Sequence, residues 1–300
     1  MKTLHLYLPS PMREDAQSGG VNIVNKIAQA VAPASYALAF HGDSLEARAR
    51  AKGDGLHLFH MQDPTGPNCL TLRRAYAYPF WQIEATNERW RFDVARARFD
   101  PESIDPDMAR PFFRRWRARF LGENAVESTR DGFVFVPLQG HLRQHRSFQS
   151  MSPAAMIEAV VAQEPKRRII ATLHPNETYD AADIAMLDTL SQRFPRFQTI
   201  QADARALVQR CDYVATQNSS VALTGFFARK AAVLFAGADF HHITGSVPRD
   251  GIGMAFDAAQ KRAPIVRYLY WFFHNHIING GAPEAEAQIG ARMRRHGWPV

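Results

Sequence analysis

The chain has 300 residues, 46% of them hydrophobic, enough to bury one large core or two ordinary ones, which excludes a chain dominated by disorder. Its formal net charge is +7, carried mainly by arginine, which permits an anionic ligand (nucleotide phosphate, nucleic acid or membrane headgroup) without assigning one. Cys69 and Cys211 lie far apart without CxxC spacing, so neither a disulfide framework nor a thiolate metal site is indicated, and a reducing cytosol fits best.

In chain order, residues 3–8 (TLHLYL) predict a short strand, too short for a signal h-region. A Pro/Gly-rich loop to Ser18-Gly19-Gly20 and an apolar-periodic helix over 21–31 follow. Strands over 36–40 and 55–60 complete a parallel unit, because strand, helix, strand order implies parallel pairing. Residues 70–120 are dense in aromatics and arginines and read as helices and loops packed on that first sheet.

A boundary is expected in the polar stretch near 122–131, giving domains of 1–125 and 126–300. Beyond it, FVFVPLQ (133–139) predicts a buried strand, and MSPAAMIEAVVAQ a helix capped by Ser152 with Pro153 at its first position. RRIIATLHP, FQTIQ, YVATQ (213–217) and AAVLFAG (231–237) are further strands, separated by AADIAMLDTLSQRF, ADARALVQRC and the helix opened by NSSVALTGFFARK. No stretch reaches the ~20 apolar residues needed to span a bilayer.

Two strand ends carry ligand-competent residues: Thr172 to Glu177, with His174 and Pro175, and Thr216 to Ser220, with Asn218, Ser219 and Ser220. In a doubly wound sheet both project from one rim. Ser219 and Ser220 open a helix, where unpaired N–H groups favour an anion, and His174 can donate to the same phosphate. The plainer alternative is that Asn218 or Ser219 caps the helix and His174 packs in a turn. In the first half, Glu84 within PFWQIEATNERW is the preferred catalytic carboxylate and Asp15 the next, for deprotonating an acceptor or stabilising an anomeric cation. Against this, Glu84 can form an ion pair with Arg89 or Arg74 on a structural helix. Gly19 and Gly20 admit a ligand close to the backbone or simply permit a turn.

Other constellations read as structural. His241-His242 on extended chain should point to opposite faces, so no metal site is expected. His274 and His276 fall on an aromatic helix, and FFRRWRARF (112–120) reads as an amphipathic helix with snorkelling arginines.

The block VFVPLQGH…RSFQSMSPAAMIEAVVAQEPKRRIIATLHPNE, then YVATQNSSVALTGFFARKAAVLFAGADFHH and IVRYLYWFFHNHIIN, resembles the capsule polysaccharide biosynthesis family, bacterial transferases related to those that add Kdo from its CMP-activated form. The resemblance covers about residues 133–280. It implies an α/β fold of GT-B type, two Rossmann-like domains with parallel sheets facing a central cleft. It also implies a nucleotide-sugar donor, CMP-linked, bound as substrate with no cofactor, and places Gln139, His174, Pro175, Asn218, Ser219 and Ser220 around its phosphate. Leu173 and Thr224 stand where similar sequences often carry a lysine and a glutamate. The partners so implied are a nucleotide sugar and a glycan or glycolipid acceptor, at the cytoplasmic face of the membrane with a peripheral contact to it; nucleic acid is the less favoured partner. A non-catalytic nucleotide- or glycan-binding protein on the same fold is the alternative.

Overall fold

TLHLYL forms β1 (Lys2–Leu8), with Leu4, Leu6 and Leu8 buried, in a computed structural model that describes residues 2–51, 55–123 and 125–300. Where a loop was expected, α1 (Ser10–Gln17) follows directly. Pro9 is its extended N-cap and Pro11 sits in the first turn, where a missing N–H costs nothing, so these prolines start a helix instead of preventing one. α2 (Asn22–Val31) buries Ile23, Val24, Ile27 and Val31. β2 (Tyr36–Gly42), α3 (Leu45–Ala49) and β3 (Leu56–His60) come next.

The aromatic and arginine-rich stretch departs from expectation. It begins with two strands, β4 (Cys69–Arg74) and β5 (Phe80–Glu84), joined by a turn in which Phe80 donates to Ala77 and Ala75 to Phe80. Their short aromatic and branched runs suit a pleated surface better than a helix. α4 (Asp93–Arg96) and α5 (Pro106–Leu121) complete the stretch, α5 with Asp105 accepting from Asp107 N–H as its cap.

The second half alternates as predicted: β6 (Phe133–Pro137), α6 (Pro153–Gln163), β7 (Arg168–Thr172), α7 (Ala181–Arg193), β8 (Phe197–Thr199), α8 (Ala204–Arg210), β9 (Tyr213–Thr216), α9 (Ser220–Phe227) and β10 (Ala231–Leu234). It continues through β11 (Gly245–Ser246), α10 (Val247–Asp250), α11 (Ile252–Ala259) and α12 (Ile265–Tyr270). The run holding His274 and His276 is not one helix. It passes from α12 into a wide π-type turn, Trp271–Asn275, then β12 (Ile278–Asn279), before α13 (Ala285–Arg295).

Two units result. One comprises residues 98–270, the other 1–97 together with 271–300, so the division lies at 97/98 and 270/271 instead of 125/126. The cause is packing. Phe113 and Phe120 of α5 stack on Phe227 at centroid distances of 5.8 and 4.2 Å, which ties α5 to the second sheet. Ile289 and Met293 of α13 are fully buried in the core built by β1, β3, β4 and α2. Asn124, in the polar stretch expected to be the linker, lies outside the described residues.

Both units are Rossmann-like. In the 98–270 unit the order is β8-β7-β6-β9-β10-β11, every pair parallel. Counting from β6 this is 3-2-1-4-5-6, the doubly wound dinucleotide-binding order, with its reversal between β6 and β9. In the other unit the order is β2-β1-β3-β4-β5-β12; β1 to β4 are parallel, and β5 and β12 add antiparallel strands at one edge. Its reversal lies between β1 and β3. All five residues of β6 are buried, as a central parallel strand covered on both faces requires.

Candidate functional site

A doubly wound sheet leaves a crevice outside the carboxyl ends of its strands where the order reverses. In the 98–270 unit that point is the end of β6 beside the end of β9. Thr216 Oγ1 donates to Pro137 O at 3.1 Å, pinning the two ends together. β7 flanks β6 on the other side, so the segments after β7 and β9 emerge roughly 10 Å apart, two strand spacings, with Gln139 between them. The topology thus brings Gln139, His174, Pro175, Asn218, Ser219 and Ser220 to one rim.

Each has a local reason for its place. Asn176 N–H donates to His174 Nδ1 at 3.2 Å, and His174 N–H donates to Tyr179 Oη at 2.9 Å, so the exposed histidine is braced by its own loop. With Nδ1 accepting, the neutral imidazole carries its proton on Nε2, a donor available to a ligand. Ser219 caps α9, its hydroxyl accepting from Val221 N–H at 3.3 Å, and Asn218 Nδ2 donates to Gly237 O at 3.0 Å. These are the capping and bracing roles of the plainer alternative. They hold the start of α9, with exposed Ser220 as its first residue, at the crevice, where the helix dipole favours an anion.

A further polar signal comes from side chains in the loops after β6 and β9. The loop after β6 runs back over the rim: Ser150 N–H donates to Phe235 O, and Gly237 N–H to Phe148 O, setting Gln149 opposite Ala236. Gln149 is 6% exposed and Gln217 is 1% exposed, yet Gln149 Nε2 and Gln217 Oε1 have no hydrogen-bond partner among the described residues. Gln139 Oε1 and Arg146 Nε share that condition. A buried polar atom left unpaired costs about 1–3 kcal/mol, and four such atoms fall in the loops after β6 and β9. The other ends of these amides are fixed, Gln217 Nε2 on Met151 O and Gln149 Oε1 on Arg146 N–H.

A carboxylate also stands at this rim. A β-carbon on Gly140 would come 2.3 Å from Glu177 Oε2, so the loop after β7 lies directly against the loop after β6. Arg143 reinforces the junction, donating to Asp183 at 2.9 Å and to Asp180 at 2.5 Å across the start of α7. Sequence reasoning passed over Gln149 and Arg146, whereas Glu177 lay inside the Thr172-to-Glu177 cluster. Gln217 likewise lay inside the Thr216-to-Ser220 cluster.

The candidates in the other unit take different places. Asp15 is exposed on α1, behind the end of β1, and its carbonyl accepts from Gly20 N–H at 2.7 Å. Gly19 adopts φ +80° there, so the glycine pair forms the turn that closes α1. Glu84 is 1% exposed on β5, not on a helix. Arg292 of α13 donates to Oε1 at 2.9 Å, and Asp93 N–H donates to Oε2. This is an interior ion pair joining β5, the strand between β4 and β12, to the returning C-terminal helix.

One set of ligating atoms converges among the described residues. Glu84, Asp93 and His296 offer atoms within 4.8 Å of one another. Arg292 and Arg295 already pair with the two carboxylates, each at 2.9 Å, and burial together with Arg292 lowers the His296 pKa against the pull of Asp93. Such a site is charge-balanced without a cation. His241 and His242, expected on opposite faces, instead stack with centroids 4.3 Å apart and planes 18° apart, because the chain turns there with Thr244 N–H donating to His241 O. No helix among the described residues is long and apolar enough to cross a membrane.

No family model and no curated protein matches the chain. Among solved structures, it is similar to the Thermosulfurimonas dismutans KpsC β-Kdo 2,7 transferase, at 11% identity over 80% of each chain, with a TM-score of 0.48. The β-Kdo 2,4 transferase of the same KpsC is 9% identical over 89% of this chain and 88% of that one, with a TM-score of 0.47. UDP-GlcNAc 2-epimerase from Neisseria meningitidis, bound to UDP-GlcNAc, is 10% identical over 98% of this chain and all of the other, with a TM-score of 0.35. At these values the likenesses assign no activity to the chain.

Proposed function

We propose that the chain is a glycosyltransferase that binds a nucleotide-activated sugar on the 98–270 unit, at the rim where β6 and β9 diverge. The observation that carries this reading is the cluster of unpaired amide groups on Gln139, Gln149 and Gln217 beside the start of α9 and the Nε2–H of His174. The amides suit a nucleoside, and the two positive elements suit its phosphate. In transfer, the bond between the anomeric carbon and the phosphate oxygen breaks, and charge grows on the departing phosphate. His174 and the α9 N–H groups stabilise that charge, strengthening as the bond breaks. Asp15, an exposed carboxylate at a strand end of the other unit, is proposed as the base that removes the acceptor's proton. On the family resemblance, the donor is a cytidine-linked, Kdo-like acid and the acceptor a capsule or surface glycan made at the inner face of the cell membrane.

A non-catalytic binding module is the second reading, favoured by the interior pairing of Glu84 with Arg292. Calorimetry with CMP, UDP and their sugar conjugates, followed by turnover assays, separates the two. Binding that weakens on His174→Ala, with turnover that disappears on Asp15→Asn, supports the transferase. Binding without turnover on any acceptor supports the module, and absence of nucleotide binding ends both.

A further inference from the structure

A large cavity lies at the other end of the same sheet. It has a volume of about 970 Å³ and is lined from α5, the segment before β6, the start of β10 and the α11–α12 connection. Ala231 opens β10 and Arg130 precedes β6, so this basin sits at the amino ends of the strands, opposite the rim described above. Seven cations line it: Arg110, Arg114, Arg130, Arg229, Lys261, Arg262 and Arg267. No lining residue is acidic. Arg110 pairs with Asp107 and Arg267 with Glu102, which leaves five of the seven without a carboxylate partner among the described residues. Such a concentration of like charge repels itself, and nothing in the fold of α5 requires it, since Phe113 already supplies the buried contact from that turn.

We propose that this basin is a second anion site, for a discrete ligand carrying two or more phosphate groups. Three features select that chemistry. Six of the seven cations are arginines, whose planar forks engage phosphate oxygens in pairs. The cations come from four segments around a concavity, which suits a compact multivalent anion better than a flat charged surface; its volume is that of a small-molecule site, at the upper end of about 300–1,000 Å³. Buried Phe113 and half-buried Ala231 and Ile265 share the lining, so ion pairs made beside them are partly shielded from water. Arg229 stacks on Phe113 at 5.3 Å, which fixes one guanidinium at the basin wall. The inference stands apart from the function proposed for the β6–β9 rim and does not need it.

The test is calorimetry of inorganic pyrophosphate and tripolyphosphate against the full chain carrying His174→Ala, which weakens the rim's contribution. Expected are saturable binding, at least tenfold tighter for tripolyphosphate than for orthophosphate, and at least a tenfold loss in Arg130→Gln/Arg229→Gln and in Arg114→Gln/Arg262→Gln. All four arginines are exposed, so the variants should retain the circular dichroism spectrum and melting temperature, and two independent pairs guard against a local fold defect. Affinity unchanged from the parent in both double variants, or no preference for the polyphosphates, overturns the proposal. So does arginine-dependent sedimentation with phosphatidylglycerol vesicles when neither polyphosphate binds in solution, since the surface would then be a membrane contact and not a ligand site.

Discussion

Asn176 gives its backbone N–H to Nδ1 of His174 at 3.2 Å, and this contact decides which imidazole nitrogen can serve a ligand. With the proton held on Nε2, His174→Ala should weaken nucleotide binding by tenfold or more, in line with the roughly 1.5–3 kcal/mol of a hydrogen bond to a charged group. Because the side chain is exposed, the melting temperature should hardly move. His174→Gln, which keeps an N–H donor, should recover part of the affinity. Calorimetry at pH 7.5 reads the effect, and wild-type affinity in the alanine variant would remove His174 from the site.

Two glycines in the 98–270 unit should respond oppositely to the same change. At Gly140 a new β-carbon meets only the flexible, exposed carboxylate of Glu177, which can turn away, so Gly140→Ala should cost less than about 1 kcal/mol. At Gly245 it would lie 1.8 Å from the backbone oxygen of Ala255, and α11 cannot give way without leaving β11. Gly245→Ala should therefore cost more than about 3 kcal/mol, the range of severe overpacking. Denaturant titration with the slope held constant measures both.

Much of the second sheet was legible because its central strands are apolar on both faces and its helices carry their own start signals. FVFVP is buried throughout, and Ser152 caps α6 with Pro153 in the first turn, as the residues imply. The polar clusters at the ends of β7 and β9 were legible for the same reason: polar residues after a buried strand have to be at a rim. What escaped depended on distant partners. Gln149 reaches the rim through a bridge to Ala236, and the contact of Glu177 with Gly140 runs between two loops. β4 and β5 were hidden because Arg73 and Arg74 blur their pattern, and only pairing of Arg74 with Trp81 shows the hairpin. The return of α13 to the first sheet rests on Ile289 and Met293 fitting a core that begins nearly 300 residues earlier.

Glu84 and Arg292 separate a structural from a catalytic role. Glu84→Gln removes the charge facing a guanidinium whose side chain is 11% exposed, and breaking such a pair from one side costs about 3–5 kcal/mol. Replacing both, as Glu84→Gln with Arg292→Met, should recover much of that loss. If instead Glu84→Gln leaves thermal stability intact while abolishing turnover, the carboxylate is catalytic and the pairing secondary.

Acid should loosen one unit before the other. His5, His41 and His57 share one face of the first sheet: His5 Nδ1 lies 2.8 Å from His41 Nε2, and His5 and His57 stack at 4.9 Å. Burial lowers all three pKa values, and neighbouring imidazoles lower those of His5 and His57 further. In the same unit His60 is also lowered by burial, and His276 falls to about 4, through burial and then the charges of Arg292 and Arg295. With folded pKa values below the unfolded 6.5, the unfolded chain binds protons first as pH falls. The stability these groups allow is present above about pH 7 and is lost progressively from pH 6.5 downward. Melting of the unit formed by 1–97 and 271–300 should drop by several degrees, at least about 5 °C, between pH 7.5 and 5.0. His41→Gln with His57→Gln should flatten that slope.

The two cysteines allow the same prediction to be tested unit by unit. Cys69 lies in the unit formed by 1–97 and 271–300 and Cys211 in the other; both are buried, and burial pushes the Cys211 thiol up to about 12. A thiol that far from ionisation reacts only after its surroundings open, so labelling reports local unfolding rather than native reactivity. Lower pH slows the chemistry of both exposed thiols alike, and the ratio of Cys69 to Cys211 modification cancels that factor. The ratio should rise between pH 7.5 and 5.5 as the protonated histidines loosen the first unit alone. A ratio that stays constant, measured by peptide mass spectrometry after a short alkylation pulse, would mean that the two units open together and that the histidine face carries no separate acid sensitivity.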